Sequence, residues 1–244
     1  MGLADDISNW IKIQVKEAKA EGVVVGLSGG VDSSVVAALS KKALGDRVLG
    51  LIMPCQSESE DYDHAILVAL RLKLKTERVA LETVYNKLLE TLPSGNKLAM
   101  ANLKPRLRMI TLYYFANNLN YLVAGTGNKS EIMVGYFTKY GDGGVDILPL
   151  GGLLKSEVRE LAWELDIPKE IIEKVPSAGL WPGQTDEGEL GIGYDELDRA
   201  ILALESGNRE DLDSHILAKV EDLIKASSHK RSLARIYIKQ FQKD

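Results

Sequence analysis

A run of β-branched residues, a loop of small residues and a helix follow one another directly near the start of the chain. The residues GVVVG at 22–26 are typical of a buried strand. The pattern from Ser33 to Leu44 predicts a helix that ends at Gly45. Between them, the sequence LSGGVDSS consists mostly of glycine and serine. A strand that feeds a helix in this way is the building unit of a parallel sheet.

The first half of the chain repeats this alternation. Further strands are predicted in RVLGLIMP, KTERVAL and NYLVAGTGN, and helices are predicted at about 60–73, 81–91 and 96–118. Pro105 would break or kink the last of these helices. The predicted fold is a doubly wound parallel α/β sheet with helices on both faces, followed by C-terminal helices.

Ligands of such sheets bind beyond the carboxyl ends of the strands. The loop after the first strand has the composition of an anion site, because small residues let backbone N–H groups approach a phosphate closely. The hydroxyl groups of Ser28, Ser33 and Ser34 add possible donors. The predicted phosphate-binding residues of this loop are Gly26, Leu27, Ser28, Gly29, Gly30, Val31, Asp32 and Ser33.

The same loop contains an aspartate where phosphates would lie. It lacks the Lys-Ser/Thr ending of a Walker A loop and does not match the GxGxxG dinucleotide pattern. A carboxylate beside phosphates needs a bridging cation, so Asp32 is a candidate Mg²⁺ ligand. The alternative is that Asp32 only favours the start of the helix.

The string SGGVDS resembles the PP-loop of the ATP pyrophosphatases, a superfamily with an adenine nucleotide alpha hydrolase-like fold. Those enzymes cleave ATP between the α and β phosphates and transfer AMP to a substrate oxygen. Four further segments narrow the resemblance to the ammonia-dependent NAD synthetases over about residues 5–238. They are ANLKPRLRM at 101–109, GTGNKSE at 125–131, FTKYGDGGVDILPL at 137–150 and HKR at 229–231.

The resemblance implies a ligase that occupies residues 1–244 as a single NAD synthetase domain. The nicotinate carboxylate of deamido-NAD would attack the α-phosphate of ATP, and ammonia would then displace AMP from the NAD-adenylate to give NAD. Asp32 and Glu131 would hold Mg²⁺, and Thr126, Lys155 and Ser177 would contact ATP, with Asp32, Glu131 and Lys155 catalytic. Ser177 occupies a position that is commonly threonine in the family. The residues implied to bind deamido-NAD are Arg106, Lys139, Asp146, His229 and Lys230.

Three aromatic rings lie in the same segment as Lys139. Tyr136, Phe137 and Tyr140 could stack on a flat nicotinate ring, or they could pack in the core. Residues 176–191 contain two prolines and four glycines, which predicts a mobile loop that closes over the adenylate. The family resemblance also implies a homodimer, and the apolar excess on the 96–118 helix makes that helix a candidate interface.

Composition bounds the remaining choices. A net charge of −5 disfavours a nucleic acid surface, and the single cysteine excludes an intrachain disulfide and a CxxC metal site. With neither a signal peptide nor a membrane-spanning run, a cytoplasmic protein is expected. No room remains for a glutaminase domain, so free ammonia is the expected donor, although a separate glutaminase subunit stays open. Two alternatives also stay open: another PP-loop enzyme, such as a tRNA thiolase or a GMP synthetase, and a nucleotide-binding module without turnover.

Overall fold

A computed structural model describes residues 2–209 and 212–238. Within them, a parallel sheet has the strand order β3-β2-β1-β4. Its strands are β1 (Gly22–Gly26), β2 (Val48–Ile52), β3 (Lys75–Arg78) and β4 (Tyr121–Ala124). The chain leaves the centre of the sheet in both directions, which confirms the predicted doubly wound α/β class.

Helices cover both faces of the sheet. Val23 and Val25 pack in a core with residues of the first, second and eighth helices, whereas Val24 packs in a second core with residues of the fourth and sixth. Because side chains alternate along a strand, this division explains why β1 is apolar at every position. The α-helices are α1 (Leu3–Glu17), α2 (Val31–Leu44), α3 (Ser59–Arg71), α4 (Glu82–Thr91), α5 (Lys97–Ala101), α6 (Leu103–Leu119), α7 (Lys129–Val134), α8 (Lys155–Glu164), α9 (Lys169–Ile172), α10 (Asp186–Leu190), α11 (Tyr194–Ser206) and α12 (Ser214–Ala226).

The helix predicted over 96–118 consists of two helices. α5 ends at Ala101, α6 begins at Leu103, and Pro105 lies in the first turn of α6. A proline is tolerated there because the N–H groups of the first turn have no acceptor inside the helix. Ile110 and Tyr114 on α6 are 59% and 67% exposed, so part of the apolar stripe of this helix faces solvent.

Parallel pairing brings two loops to one edge of the sheet. Val25 of β1 is in register with Ala124 of β4, so the loops that follow these strands lie side by side. Gly29, in the loop after β1, has a φ of +80°, and a Cβ atom there would overlap the carbonyl group of Asp61. Only glycine therefore fits this position. Across the described ranges, no helix is both long and apolar enough to cross a lipid bilayer.

Candidate active site

A cavity of about 640 Å³ opens at this edge of the sheet. Its walls come from the loop after β1, the exit of β4, the segments 135–142 and 174–186, and the side of α6. His229 and Lys230, near the described C-terminal end, also line it. Nearly every segment predicted from the sequence to bind ATP or deamido-NAD therefore contributes residues to the cavity.

The serine hydroxyl groups of the loop after β1 form hydrogen bonds within the loop. Ser33 Oγ donates to the carbonyl of Gly30 at 2.9 Å and accepts from the N–H of Ser28 at 3.2 Å. Ser28 Oγ lies 3.0 Å from Ser33 Oγ and accepts from the N–H of Gly30 at 3.2 Å. Ser34 differs, because its buried hydroxyl donates to the Gly30 carbonyl at 2.8 Å and does not line the cavity. Ser34 is thus a structural residue rather than an anion donor.

The ammonium group of Lys155 joins two carboxylates at the floor of the cavity. Lys155 Nζ lies 2.5 Å from Asp32 Oδ2 and 3.3 Å from Glu131 Oε1. Asn128 Nδ2 donates to the other oxygen of Asp32 at 2.8 Å. Asn128 also caps α7, because its side chain accepts from the N–H of Glu131 and the Glu131 carboxylate accepts from the N–H of Asn128. The start of α7 thereby fixes the place of Glu131.

Burial and charge shape the ionisation of this group. Burial raises the pKa of Glu131 to about 7, although the nearby ammonium of Lys155 opposes that rise. Burial alone would lower the pKa of Lys155, but the carboxylates of Asp32 and Glu131 outweigh it and raise the pKa. Lys155 therefore remains charged at neutral pH, with only 2% of its side chain exposed.

Two further residues of the site were not predicted. The Tyr194 hydroxyl shares its one proton between two carboxylates, with Glu131 Oε1 at 3.3 Å and Asp186 Oδ2 at 3.0 Å. Asp186 is buried, and its Oδ1 atom has no hydrogen-bond partner among the described residues. Burial raises the pKa of Asp186. Asp186 belongs to the segment expected to be a mobile loop, where the short helix α10 begins, and only its acidic composition was visible in the sequence.

The carboxylate oxygens of this group suit a divalent cation that also contacts phosphate. Two carboxylates share one ammonium, and the unpartnered Asp186 oxygen adds negative charge next to them. Over residues 2–209 and 212–238, no group of three or more His, Cys, Asp or Glu side chains is placed to hold a metal ion. Mg²⁺ commonly binds through one or two carboxylates plus substrate phosphates, so Asp32 and Glu131 fit such an ion when a nucleotide is present.

The residues implied to contact deamido-NAD bind one another. Lys139 Nζ donates to the carbonyl of His229 at 2.5 Å, and Lys230 Nζ donates to the carbonyls of Gly135 and Phe137 at 2.8 and 2.9 Å. These bonds tie the HKR segment to the wall formed by 135–139. Arg106 joins the same wall, with Nη2 3.4 Å from the carbonyl of Lys139.

Asp146 stands apart from this group. Its carboxylate accepts from the hydroxyl of Tyr113 at 2.9 Å and from the N–H of Val123 at 2.8 Å, and it does not line the cavity. Its contact with deamido-NAD stays a prediction. Of the residues outside the loop that are implied to contact ATP, Thr126, Lys155 and Ser177 line the cavity. Ser177 Oγ accepts from the N–H of Gly179 at 3.1 Å.

Of the three aromatic residues in the 136–140 segment, two line the cavity and one does not. Tyr136 and Phe137 line the cavity, and the Tyr136 hydroxyl donates to Glu189 Oε2 at 2.7 Å. Tyr140 is 56% exposed and lies outside the cavity lining. Tyr136 also packs against a core cluster with residues of α11 and α12. Tyr136 and Phe137 are therefore the rings that could face a flat ligand, and packing in the core does not account for Tyr140.

Comparisons with known proteins agree with the geometry. The NAD synthase family matches residues 3–234. An NH(3)-dependent NAD(+) synthetase of Carboxydothermus hydrogenoformans is 50% identical over 237 residues, which cover 95% of each chain. A structure of NMN synthetase from Francisella tularensis superposes with a TM-score of 0.89 at 38% identity, covering 96% of this chain and 97% of that one.

A second solved structure gives a similar result. The NH3-dependent NAD synthetase of Campylobacter jejuni, in complex with the nitrate ion, has a TM-score of 0.85 and is 29% identical, covering 98% of this chain and all of the other. Neither the family match nor these relatives support a tRNA-modifying enzyme or a module without turnover. The chain belongs to the NAD synthase family.

Proposed function

We propose that this chain joins the nicotinate carboxylate of deamido-NAD to AMP and then converts it to the amide of NAD with free ammonia. The chain is an enzyme of ammonia-dependent NAD synthesis, as its family and its named relatives are. The observation that carries the residue assignment is the meeting of Lys155, Asp32 and Glu131 beside the loop after β1. Phosphoryl-transfer sites commonly combine a lysine that contacts the phosphates with carboxylates that hold Mg²⁺, and this group supplies both.

In the first step, the substrate supplies the nucleophile. The carboxylate oxygen attacks the α-phosphorus, and the bond to the β-phosphate oxygen breaks to release pyrophosphate. The residues from Gly26 to Ser33, with Thr126, Ser177 and Lys155, hold the nucleotide. Asp32 and Glu131 would hold Mg²⁺, which neutralises phosphate charge and aligns the leaving pyrophosphate when bound. The protein contributes position and charge, so it needs no nucleophile of its own.

In the second step, ammonia attacks the acyl carbon and loses one proton to solvent, and AMP leaves with the oxygen that joined the two groups. Arg106, Lys139, His229 and Lys230 hold the substrate from the wall at 135–139. Asp146 is the fifth residue proposed to contact it. Cys55 is fully buried, and burial raises its pKa. A buried thiol of this kind is a poor nucleophile for releasing ammonia from glutamine.

A second candidate substrate is the mononucleotide acid that corresponds to NMN. The Francisella tularensis structure of high similarity carries the name NMN synthetase. The acyl-transfer chemistry is the same for both acids, because each presents a nicotinate carboxylate. The two differ only in whether an adenylyl half must also be bound.

We further propose that residues 1–244 form a single catalytic domain that is located in the cytoplasm and requires neither a nucleic acid nor a membrane. Two copies associate through the exposed side of α6, where Ile110 and Tyr114 present an apolar surface.

Purified protein with ATP, Mg²⁺ and ammonium chloride tests the proposal in parallel reactions. One reaction contains deamido-NAD, one contains nicotinate mononucleotide, and one replaces ammonium with glutamine. We expect equimolar NAD, AMP and pyrophosphate from deamido-NAD with ammonium, and no NAD when glutamine replaces ammonium. Faster turnover of the mononucleotide would transfer the assignment to the second candidate, and no pyrophosphate from either acid would refute both.

A further inference from the structure

Asp198 is a buried carboxylate that the reaction does not use directly. It is 4% exposed, lies on α11 and does not line the cavity. Its Oδ1 atom accepts from Ser130 Oγ at 2.5 Å. Its Oδ2 atom accepts from the N–H and the hydroxyl of Ser156 at 2.9 and 2.8 Å. Every one of these donors belongs to another helix.

The hydrogen bonds of Asp198 complete the N-terminus of α8. The residue before that helix is Leu154, whose side chain cannot accept a hydrogen bond. The N–H of Lys155 donates to Ser130 Oγ at 3.0 Å, and the N–H of Ser156 donates to Asp198. The first N–H groups of a helix need such partners, and a negative charge is favourable beside them. A residue 44 positions beyond Leu154 thus provides the missing cap.

The same bonds reach both charged groups of the site. Ser130 directly precedes Glu131, and Ser156 directly follows Lys155. Asp198 therefore joins the backbone segments that carry the carboxylate and the ammonium, whose atoms lie 3.3 Å apart. Tyr194, one turn earlier on α11, donates to Glu131 from the same side. Residues on one face of α11 therefore fix the position of the start of α7 relative to the start of α8.

We infer that Asp198 is a positioning residue that sets the separation of Lys155 and Glu131, and with it the binding of magnesium–triphosphate. This inference rests on the proposed function. Without the carboxylate, the start of α8 and the start of α7 lose their common acceptor, and the two groups can move relative to each other. A misplacement of about 1 Å can cost on the order of 100-fold in rate.

Three variants test this role. Asp198→Ala removes all three hydrogen bonds, and Asp198→Asn keeps the shape and one acceptor oxygen. Asp195→Ala removes an exposed carboxylate from the same helix and is the matched control. For each variant, calorimetry measures the Mg²⁺ concentration that gives half-maximal binding of a non-hydrolysable ATP analogue. Steady-state assays give kcat and KM, and chemical unfolding gives stability.

We expect Asp198→Ala to raise the half-maximal Mg²⁺ concentration at least threefold and to lower kcat at least tenfold. Asp198→Asn should fall between Asp198→Ala and the wild type, and Asp195→Ala should match the wild type. If Asp198→Ala does not fold, Asp198→Asn and Ser156→Ala test the inference in its place. In both, we expect a smaller rise in the half-maximal Mg²⁺ concentration and a smaller fall in kcat. Reduced stability with unchanged Mg²⁺ dependence and kcat would show a merely structural role and overturn the inference. Because analogue binding needs no turnover, failure of the wild type to make NAD would refute the proposed function and leave this test intact.

Discussion

Lys155 Nζ lies 2.5 Å from Asp32 Oδ2, although 123 positions separate the two residues in the chain. Asp32 comes from the first turn of α2, after β1, and Lys155 is the first residue of α8. Because α2 and α8 pack in the same core, the two helix starts meet at the floor of the cavity. The ammonium is thus held between carboxylates at the place where ATP phosphates and their cation are proposed to bind.

Loss of the lysine should leave these carboxylates uncompensated. We expect Lys155→Met to lower the free energy of unfolding by about 3 kcal/mol, as for a broken buried ion pair, and to reduce NAD formation at least 100-fold. Added Mg²⁺ should restore part of the lost melting temperature, because the cation replaces the ammonium. Lys129→Met, which breaks a more exposed pair with Glu205, is the control and should cost less than about 1 kcal/mol. Equal melting temperatures for the two variants would contradict this.

Glu131 makes the stability of the ligand-free protein depend on pH. Its pKa is raised to about 7 in the folded protein from an ordinary value near 4.5. The folded state therefore holds the proton more tightly, and the resulting stabilisation is complete below pH 4.5 and lost as the pH rises through 7. Relative to the wild type, Glu131→Gln should gain stability over this interval, by up to about 3 kcal/mol. Melting temperatures from pH 4.5 to 8 measure the difference, and parallel curves would contradict the assignment.

Residues 176–191 make specific contacts with α5 and α6. Lys104 Nζ donates to the carbonyl of Leu180 at 2.7 Å, and Lys97 Nζ lies 4.1 Å from the centre of the Trp181 ring. Trp181→Ala should therefore increase the rate of proteolytic cleavage within 176–191. ATP with deamido-NAD should protect the wild type more than the variant. Trp163→Ala, at a half-exposed position on α8, is the control. Equal cleavage of the wild type with and without ligands would argue against closure of this loop over the adenylate.

The proposed dimer depends on the outer side of α6. Tyr114 is 67% exposed there, and a charge in a buried apolar interface is costly. Sedimentation should show Tyr114→Glu as a monomer at micromolar concentration, where the wild type is a dimer. Leu202→Glu, at a 50% exposed position on α11, should remain a dimer. A monomeric wild type at that concentration would show that the proposed dimer does not form.

The sequence predicted the sheet, and the strand–loop–helix unit that carries Asp32, because both depend on local patterns. The alternation of strands and helices fixes which strand ends share an edge, so the approach of Asp32 and Glu131 followed from their loops. The placement of Asp146 did not follow, because Ile147 forms an isolated parallel bridge with Ala124. That bridge draws Asp146 to the sheet edge, where Val123 donates to it.

The residues of α11 that support the site could not be predicted from local sequence patterns. Asp198 bonds to Ser130 across 68 positions, and Tyr194 bonds to Glu131 across 63. Nothing in the sequence of α11 indicates that its first two turns pack against α7 and α8. A buried aspartate on a helix with an amphipathic pattern resembles any acid at a helix start until the tertiary packing is known.

In the proposed reaction, the substrate carboxylate attacks the α-phosphorus of ATP. Deamido-NAD labelled with ¹⁸O in its carboxylate tests this directly, with mass spectrometry of the products after turnover with ATP, Mg²⁺ and ammonium. We expect one ¹⁸O atom in AMP and none in pyrophosphate, because the bridging oxygen leaves with AMP when ammonia attacks the acyl carbon. Label in inorganic phosphate, accompanied by ADP, would instead show attack at the γ-phosphorus and rule out adenylation of the substrate.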